Sequence, residues 1–236
     1  MSEFTDNRVL VVGGSSGIGE AIAQAFVRQG AKVTIASRSE DKLKAAAQRI
    51  GQVNSVVLDT ADNAAIEAFF AQHHPWDHIA ISAAQTPFGL VKELSLSDAY
   101  SAMESKFWGA YRLARAAKIS ERGSLTFVSG FLSVRPGTAV LQGAINAALE
   151  SLGRGLALEL SPVRVNSVSP GIIETPLWDG MPSDTREQIF TATRKALPAK
   201  TLGQPEDIAR AVLFLAGSQF TSGATLLVDG GGAIQA

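Results

Sequence analysis

The 236-residue sequence predicts an α/β fold, a doubly wound parallel sheet with helices on both faces. Three observations carry this. Short β-branched runs alternate with longer helical patterns from end to end. The strand runs are apolar without strict alternation, which suits strands buried on both faces. The first strand runs straight into a Gly-rich turn and a helix, the arrangement that grips dinucleotide phosphates.

The elements follow in order. Arg8–Val12 (RVLVV) is the first strand and Gly17–Gln29 the helix after it. Lys32–Ser37 and Asp41–Ile50 form the next unit, then Ser55–Leu58 with Asn63–Gln72. His78–Ile81 leads to a long helix over Ser97–Lys118. Leu125–Val128 leads to a second long helix over Thr138–Leu160. Arg164–Val168, Pro205–Ala216 and Thr225–Val228 complete seven strands with right-handed crossovers. No linker, repeat or low-complexity segment interrupts the chain, so residues 1–236 are read as one domain, a single-domain Rossmann fold. Residues 177–200 break the rhythm with WDGMPSD and a short helical pattern, and are read as a lid over the site.

Bulk chemistry narrows the function classes. A net charge of -1 gives no reason to expect nucleic acid or an anionic membrane surface as partner. The absence of cysteine excludes disulfides, thiolate metal sites and cysteine nucleophiles. The start, MSEFTDN, is not a signal peptide, and no apolar run approaches the ~20 residues that span a bilayer. The expectation is a cytoplasmic protein acting on a small molecule.

Gly13, Gly17 and Gly19 form G-x-x-x-G-x-G between strand and helix. Glycines there let a pyrophosphate approach the peptide N–H groups at the helix N-terminus. The bland alternative, a plain strand-to-helix turn, does not explain why all three parts fall together. The second strand ends at Ser37-Arg38. A site preferring NAD places a carboxylate there for the ribose 2′-hydroxyl. The carboxylate is missing, and a guanidinium suits the 2′-phosphate of NADP. A solvated arginine at a strand end is the competing reading, but NADP(H) is favoured over NAD(H).

These residues resemble the short-chain dehydrogenase/reductases, over nearly the whole chain. GGSSGIG (Gly13, Ser15, Ser16, Gly17, Ile18, Gly19) is similar to that family's cofactor loop, with Val12 where threonine is usual. PGIIET at Pro170–Thr175, GQPEDIA at Gly203–Ala209 and TSGATLLVDGGG at Thr221–Gly232 are also characteristic. The resemblance implies a seven-stranded parallel sheet, a nicotinamide cofactor and a homodimer or homotetramer built on the two long helices. It implies adenine contacts at Asp59 and Thr60 and cofactor contacts at Ala83, Ala84, Pro170 and Gly171. It also places the nicotinamide amide at Thr175 and the backbone of Ile173.

The family's chemistry rests on asparagine, serine, tyrosine and lysine, and here the resemblance breaks. The aligned positions hold Lys106, Gly130, Gly143 and Ala147. The loss does not depend on alignment. The only tyrosines are Tyr100 and Tyr111, and no Tyr-x-x-x-Lys occurs anywhere.

Lys106 is the first candidate for replacement chemistry, because Gly143 and Ala147 are expected to vacate space near it. A lysine confined in a dry pocket has a lowered pKa and acts as an acid; a solvated lysine is the commoner fate, and both readings stay open. Ser129 is a candidate to orient a substrate oxygen, or simply ends a buried strand. Gln142 and Asn146 supply no proton at neutral pH and have at most a binding role. Trp178, Met181 and Phe190 form an apolar lid or ordinary core. His73, His74, His78 and Asp77 invite a metal reading, but they lie at the entry to a strand, whereas ligands bind at the carboxyl ends, so no metal is assigned.

Two functions follow. One is NADPH-dependent reduction of a small activated aldehyde, diketone or quinone with altered proton delivery. The other is a non-catalytic NADP(H)-binding protein, a redox sensor or partner subunit.

Overall fold

The computed structural model describes residues 3–87 and 89–234. Seven strands form one parallel sheet in the order β3-β2-β1-β4-β5-β6-β7. They are β1 (Arg8–Val12), β2 (Lys32–Ser37), β3 (Asn54–Val57), β4 (Trp76–Ile81), β5 (Ile119–Val128), β6 (Arg164–Pro170) and β7 (Thr225–Val228). The helices are α1 (Gly17–Arg28), α2 (Glu40–Ile50), α3 (Asn63–Gln72), α4 (Leu96–Met103), α5 (Gly109–Ala116), α6 (Val140–Glu159), α7 (Ser183–Ala196) and α8 (Pro205–Gly217). The doubly wound Rossmann architecture expected from the sequence is therefore present.

Successive strand residues point to opposite faces, so each strand feeds two cores. Val9 and Val11 pack with Ile22 and Phe26 of α1 and Val212 and Leu215 of α8. Leu10 and Val12 pack on the other face with Ile66 and Phe70 of α3, Leu113 of α5 and Leu149 of α6. That two-sided burial is why the strands read as unbroken apolar runs.

Several boundaries differ from the sequence expectation. β5 starts at Ile119, not Leu125, and carries the charged stretch Glu121-Arg122 at its exposed beginning. The helix expected over Ser97–Lys118 is three pieces: α4, a π-helical turn over Glu104–Trp108, and α5. In that turn the Gly109 N–H reaches back to the Glu104 carbonyl. Hydrophobic periodicity does not register one wide turn within a helical run, whereas β5's charged start masks its strand character. The segment 177–200 holds α7, longer than the short pattern suggested. Among the described residues no helix is long and apolar enough to cross a membrane.

The strand order reverses between β1 and β4, which opens a crevice at the carboxyl ends of these strands.

Candidate functional site

The loops leaving the carboxyl ends of β1, β2, β3, β4 and β6 bring the sequence candidates into this crevice. Gly13 has φ +87°, and a Cβ on it would lie 2.5 Å from the Ala83 nitrogen. The loop after β1 thus packs backbone to backbone on Ser82 and Ala83, which a side chain would prevent. Ser15 is buried and Ser16 is the exposed, extended residue that opens α1. Gly17, Ile18 and Gly19 form its first turn. Thr175 packs over this loop, 3.4 Å from where a Cβ on Gly17 would stand.

Ser37 and Arg38 follow at the end of β2. The Ser37 hydroxyl is sealed from solvent and has no hydrogen-bond partner. The exposed Arg38 donates from Nη2 to Gln85 Oε1 at 2.8 Å. Asp59 accepts from the Ala61 N–H at 3.0 Å and stabilises the turn that carries Thr60. Pro170 and Gly171 continue β6. Ile173 is buried, and its carbonyl accepts from Trp178 Nε1 at 2.9 Å. Trp178 and Phe190 then meet edge to face at 5.5 Å, with Phe190 fully packed inside.

Lys106 comes from the π-helical turn. Its ammonium donates to the Ser129 carbonyl at 2.7 Å and to Asn146 Oδ1 at 2.7 Å. Both acceptors are neutral. Burial pushes the Lys106 pKa down to about 8, and the negative charge of Glu150 opposes the shift. Glu150 is itself buried on α6, one turn beyond Asn146. It accepts from the Ser129 and Ser133 hydroxyls, each at 2.7 Å.

Comparison with known proteins supplies the family. A family model described as Enoyl-(Acyl carrier protein) reductase matches residues 12–232. The short-chain dehydrogenase/reductase ucsE of Acremonium sp is 32% identical, over 96% of this chain and 95% of that protein. The 3-oxoacyl-[acyl-carrier-protein] reductase FabG of Chlamydia trachomatis is 30% identical, over 97% of this chain and 98% of its own length. A small-chain dehydrogenase solved in complex with NADPH superposes with a TM-score of 0.86 at 32% identity, covering 97% of this chain and 99% of that one.

The chain belongs to the short-chain dehydrogenase/reductase family. Gly130 and Gly143 do not border vacant space. A Cβ on Gly130 would lie 2.6 Å from Asn146 Nδ2, and one on Gly143 would lie 2.8 Å from the Leu132 carbonyl oxygen. Both are closer than real Cβ contacts, so the space expected beside Gly143 is already filled by the Leu132 backbone. Ala147 is exposed on α6.

Sequence reasoning found Lys106 but missed Glu150. A signal was present: Gln142, Asn146 and Glu150 recur at four-residue spacing along one helix face. All three are buried, forming a polar stripe within an otherwise apolar core. The Ser129 hydroxyl, which the sequence offered for substrate orientation, points its proton at Glu150 Oε1 at 2.7 Å, with the Val168 carbonyl farther off at 3.3 Å.

His73 and His78 engage in separate partnerships. His73 Nδ1 bonds the Phe69 carbonyl at 2.6 Å, and His78 lies between Ser124 Oγ at 2.9 Å and Asn7 Nδ2 at 3.1 Å. Burial, aided by the Arg164 charge, lowers the His78 pKa to about 4 against an opposing pull from Asp77. A second feature lies beneath α7: a cavity of about 290 Å³ lined by Phe131, Arg135, Ile172, Thr193 and Leu197.

Proposed function

We propose that this short-chain dehydrogenase/reductase reduces a small activated carbonyl with NADPH, and that Lys106 replaces the family's tyrosine as the acid. The single observation that carries the reading is the Lys106 ammonium, held at the crevice by two neutral acceptors with its pKa lowered toward neutrality.

The crevice fits the cofactor. Gly13, Ser15, Ser16, Gly17, Ile18 and Gly19 supply a close backbone approach at the start of α1, suited to a pyrophosphate. The exposed Arg38 guanidinium beside Ser37 offers a donor for a 2′-phosphate, which favours NADP(H) over NAD(H). Asp59, Thr60, Ala83 and Ala84 would flank the adenine half, and Pro170, Gly171, Ile173 and Thr175 the nicotinamide half. The 32%-identical structure solved with NADPH supports the assignment by likeness. When bound, the cofactor supplies the hydride that reduces the substrate carbon.

The chain's own residues then do the rest. An ammonium has three N–H groups. Ser129 and Asn146 hold two, and the third remains for the substrate oxygen. A pKa of about 8 keeps Lys106 largely protonated at neutral pH yet able to release its proton as the alkoxide forms. Glu150 limits how far that pKa falls. Ser129 contributes its carbonyl, while its hydroxyl fixes Glu150. Residues 177–200, anchored through Trp178 and Phe190, would close over the substrate as a lid.

Steady NADPH oxidation with activated aldehydes, diketones or quinones tests the reading. NADPH bound far tighter than NADH, with turnover on at least one member of the panel, supports it. The closed Gly130 and Gly143 positions favour a second reading, a non-catalytic NADP(H) binder. Tight NADPH binding with no turnover across the panel would select that second reading.

A further inference from the structure

We infer that the Asn146 side-chain amide, which fills the space a side chain on Gly130 would take, is the substrate-oxygen donor of this site. The inference rests on the reductase reading above and assigns a second catalytic residue to it.

The orientation of the amide is fixed by chemistry. An ammonium only donates, so the Asn146 atom 2.7 Å from Lys106 Nζ must be the oxygen. Nδ2 is therefore turned to the other side, toward Gly130. It lies 2.6 Å from where a Cβ on Gly130 would be, a space that a serine's Cβ and hydroxyl would otherwise share. The absence of a side chain at Gly130 and the presence of an amide at Asn146 are thus one arrangement: either a serine or this amide fits, not both.

The amide is also available. Among the described residues Nδ2 has no hydrogen-bond partner, and it is not one of the unpartnered polar atoms sealed in the core. Asn146 as a whole is 6% exposed, so its rotamer is held by packing as well as by Lys106. The unused N–H is reachable from outside the core, so an incoming acceptor can pair with it. A carbonyl oxygen in the crevice beside Gly130 would do so. Withdrawal of electron density from Oδ1 by the ammonium makes Nδ2 a better donor. Lys106 thereby acts twice, supplying a proton and aiming the amide.

The test begins with wild-type turnover on the activated-carbonyl panel. Failure there overturns the reductase reading itself. With a turned-over substrate in hand, Asn146→Asp keeps the shape and the acceptor for Lys106 but removes the donor. Asn146→Ala removes both, and Gly130→Ser in the Asn146→Ala background restores a hydroxyl where the space has been cleared. NADPH affinity and melting temperature are measured on each to verify folding. The expected result is a fall of about 10²-fold in kcat/KM for Asn146→Asp and for Asn146→Ala, the loss typical of one oxyanion donor. NADPH binding should be unchanged, and the double variant should recover at least ~10-fold over Asn146→Ala. Wild-type kcat/KM in Asn146→Asp, or no recovery in a folded, NADPH-binding double variant, would overturn the assignment while leaving the reductase reading intact.

Discussion

Lys106 and Asn146 are joined across two helices, Nζ donating to Oδ1 at 2.7 Å, over a glycine that leaves room for the amide. Because Lys106 rises from a π-helical turn and Asn146 from the middle of α6, the pair binds the two long helical runs together at the crevice. The space that side chains on Gly130 and Gly143 would take is filled by the Asn146 amide and the Leu132 backbone.

A tyrosine at Gly143 should therefore be poorly accommodated. Gly143→Tyr puts a Cβ 2.8 Å from the Leu132 carbonyl oxygen, and the loop after β5 must move. Overpacking of this kind costs about 1–3 kcal/mol. Thermal unfolding of Gly143→Tyr combined with Ala147→Lys should show a lower Tm than wild type and no gain in carbonyl reduction. An undisturbed Tm with increased turnover would show that the site still accepts the family's chemistry.

Arg38 should set cofactor preference. Arg38→Ala should weaken NADPH binding by roughly 10- to 100-fold, the value of about 1.5–3 kcal/mol for a hydrogen bond to a charged group. NADH binding should change little, because it lacks the 2′-phosphate. Fluorescence titration with both cofactors checks this, and equal losses for the two would remove Arg38 from phosphate recognition.

Glu150 should tune the acid. Its charge raises the Lys106 pKa, so Glu150→Gln, which keeps a hydrogen-bond acceptor for Ser129 and Ser133, should lower that pKa further. The alkaline limb of the kcat/KM profile should move to lower pH in the variant. A limb that stays in place would separate Glu150 from Lys106.

His78 should make the fold acid-sensitive. Its folded pKa, about 4, lies below the ordinary 6.5, so the folded chain favours neutral imidazole. The stability this contributes is complete above pH 6.5 and is lost as pH falls through about 4. The shift corresponds to about 3 kcal/mol for a residue 5% exposed. Urea unfolding of wild type and His78→Gln between pH 7 and pH 4 should show a shallower loss in the variant.

The fold was legible because its strands are apolar on both faces and its turns carry glycines where backbone must meet backbone, as Gly13 meets Ala83. The grouping of the loops that hold Gly13, Arg38, Asp59, Ala83 and Thr175 follows from parallel strands ending on one side. Less legible was what fills the missing side chains. Composition tells that tyrosine is absent, but not that the Leu132 carbonyl closes on Gly143. The π-helical turn that carries Lys106 breaks no hydrophobic repeat and so left no trace. Carboxylates on helices are ordinarily solvated, and only the four-residue spacing from Asn146 marked Glu150 as lying on the buried face.

The most direct test of the central claim compares wild type with Lys106→Met across pH 6 to 10, following NADPH oxidation by a reactive carbonyl alongside NADPH affinity. Wild-type kcat/KM should fall as pH rises through about 8, when Lys106 loses its proton. Lys106→Met should lose about 10²-fold or more and show no such limb, with NADPH affinity retained. Lys106→Met with wild-type turnover and the same pH limb would contradict it.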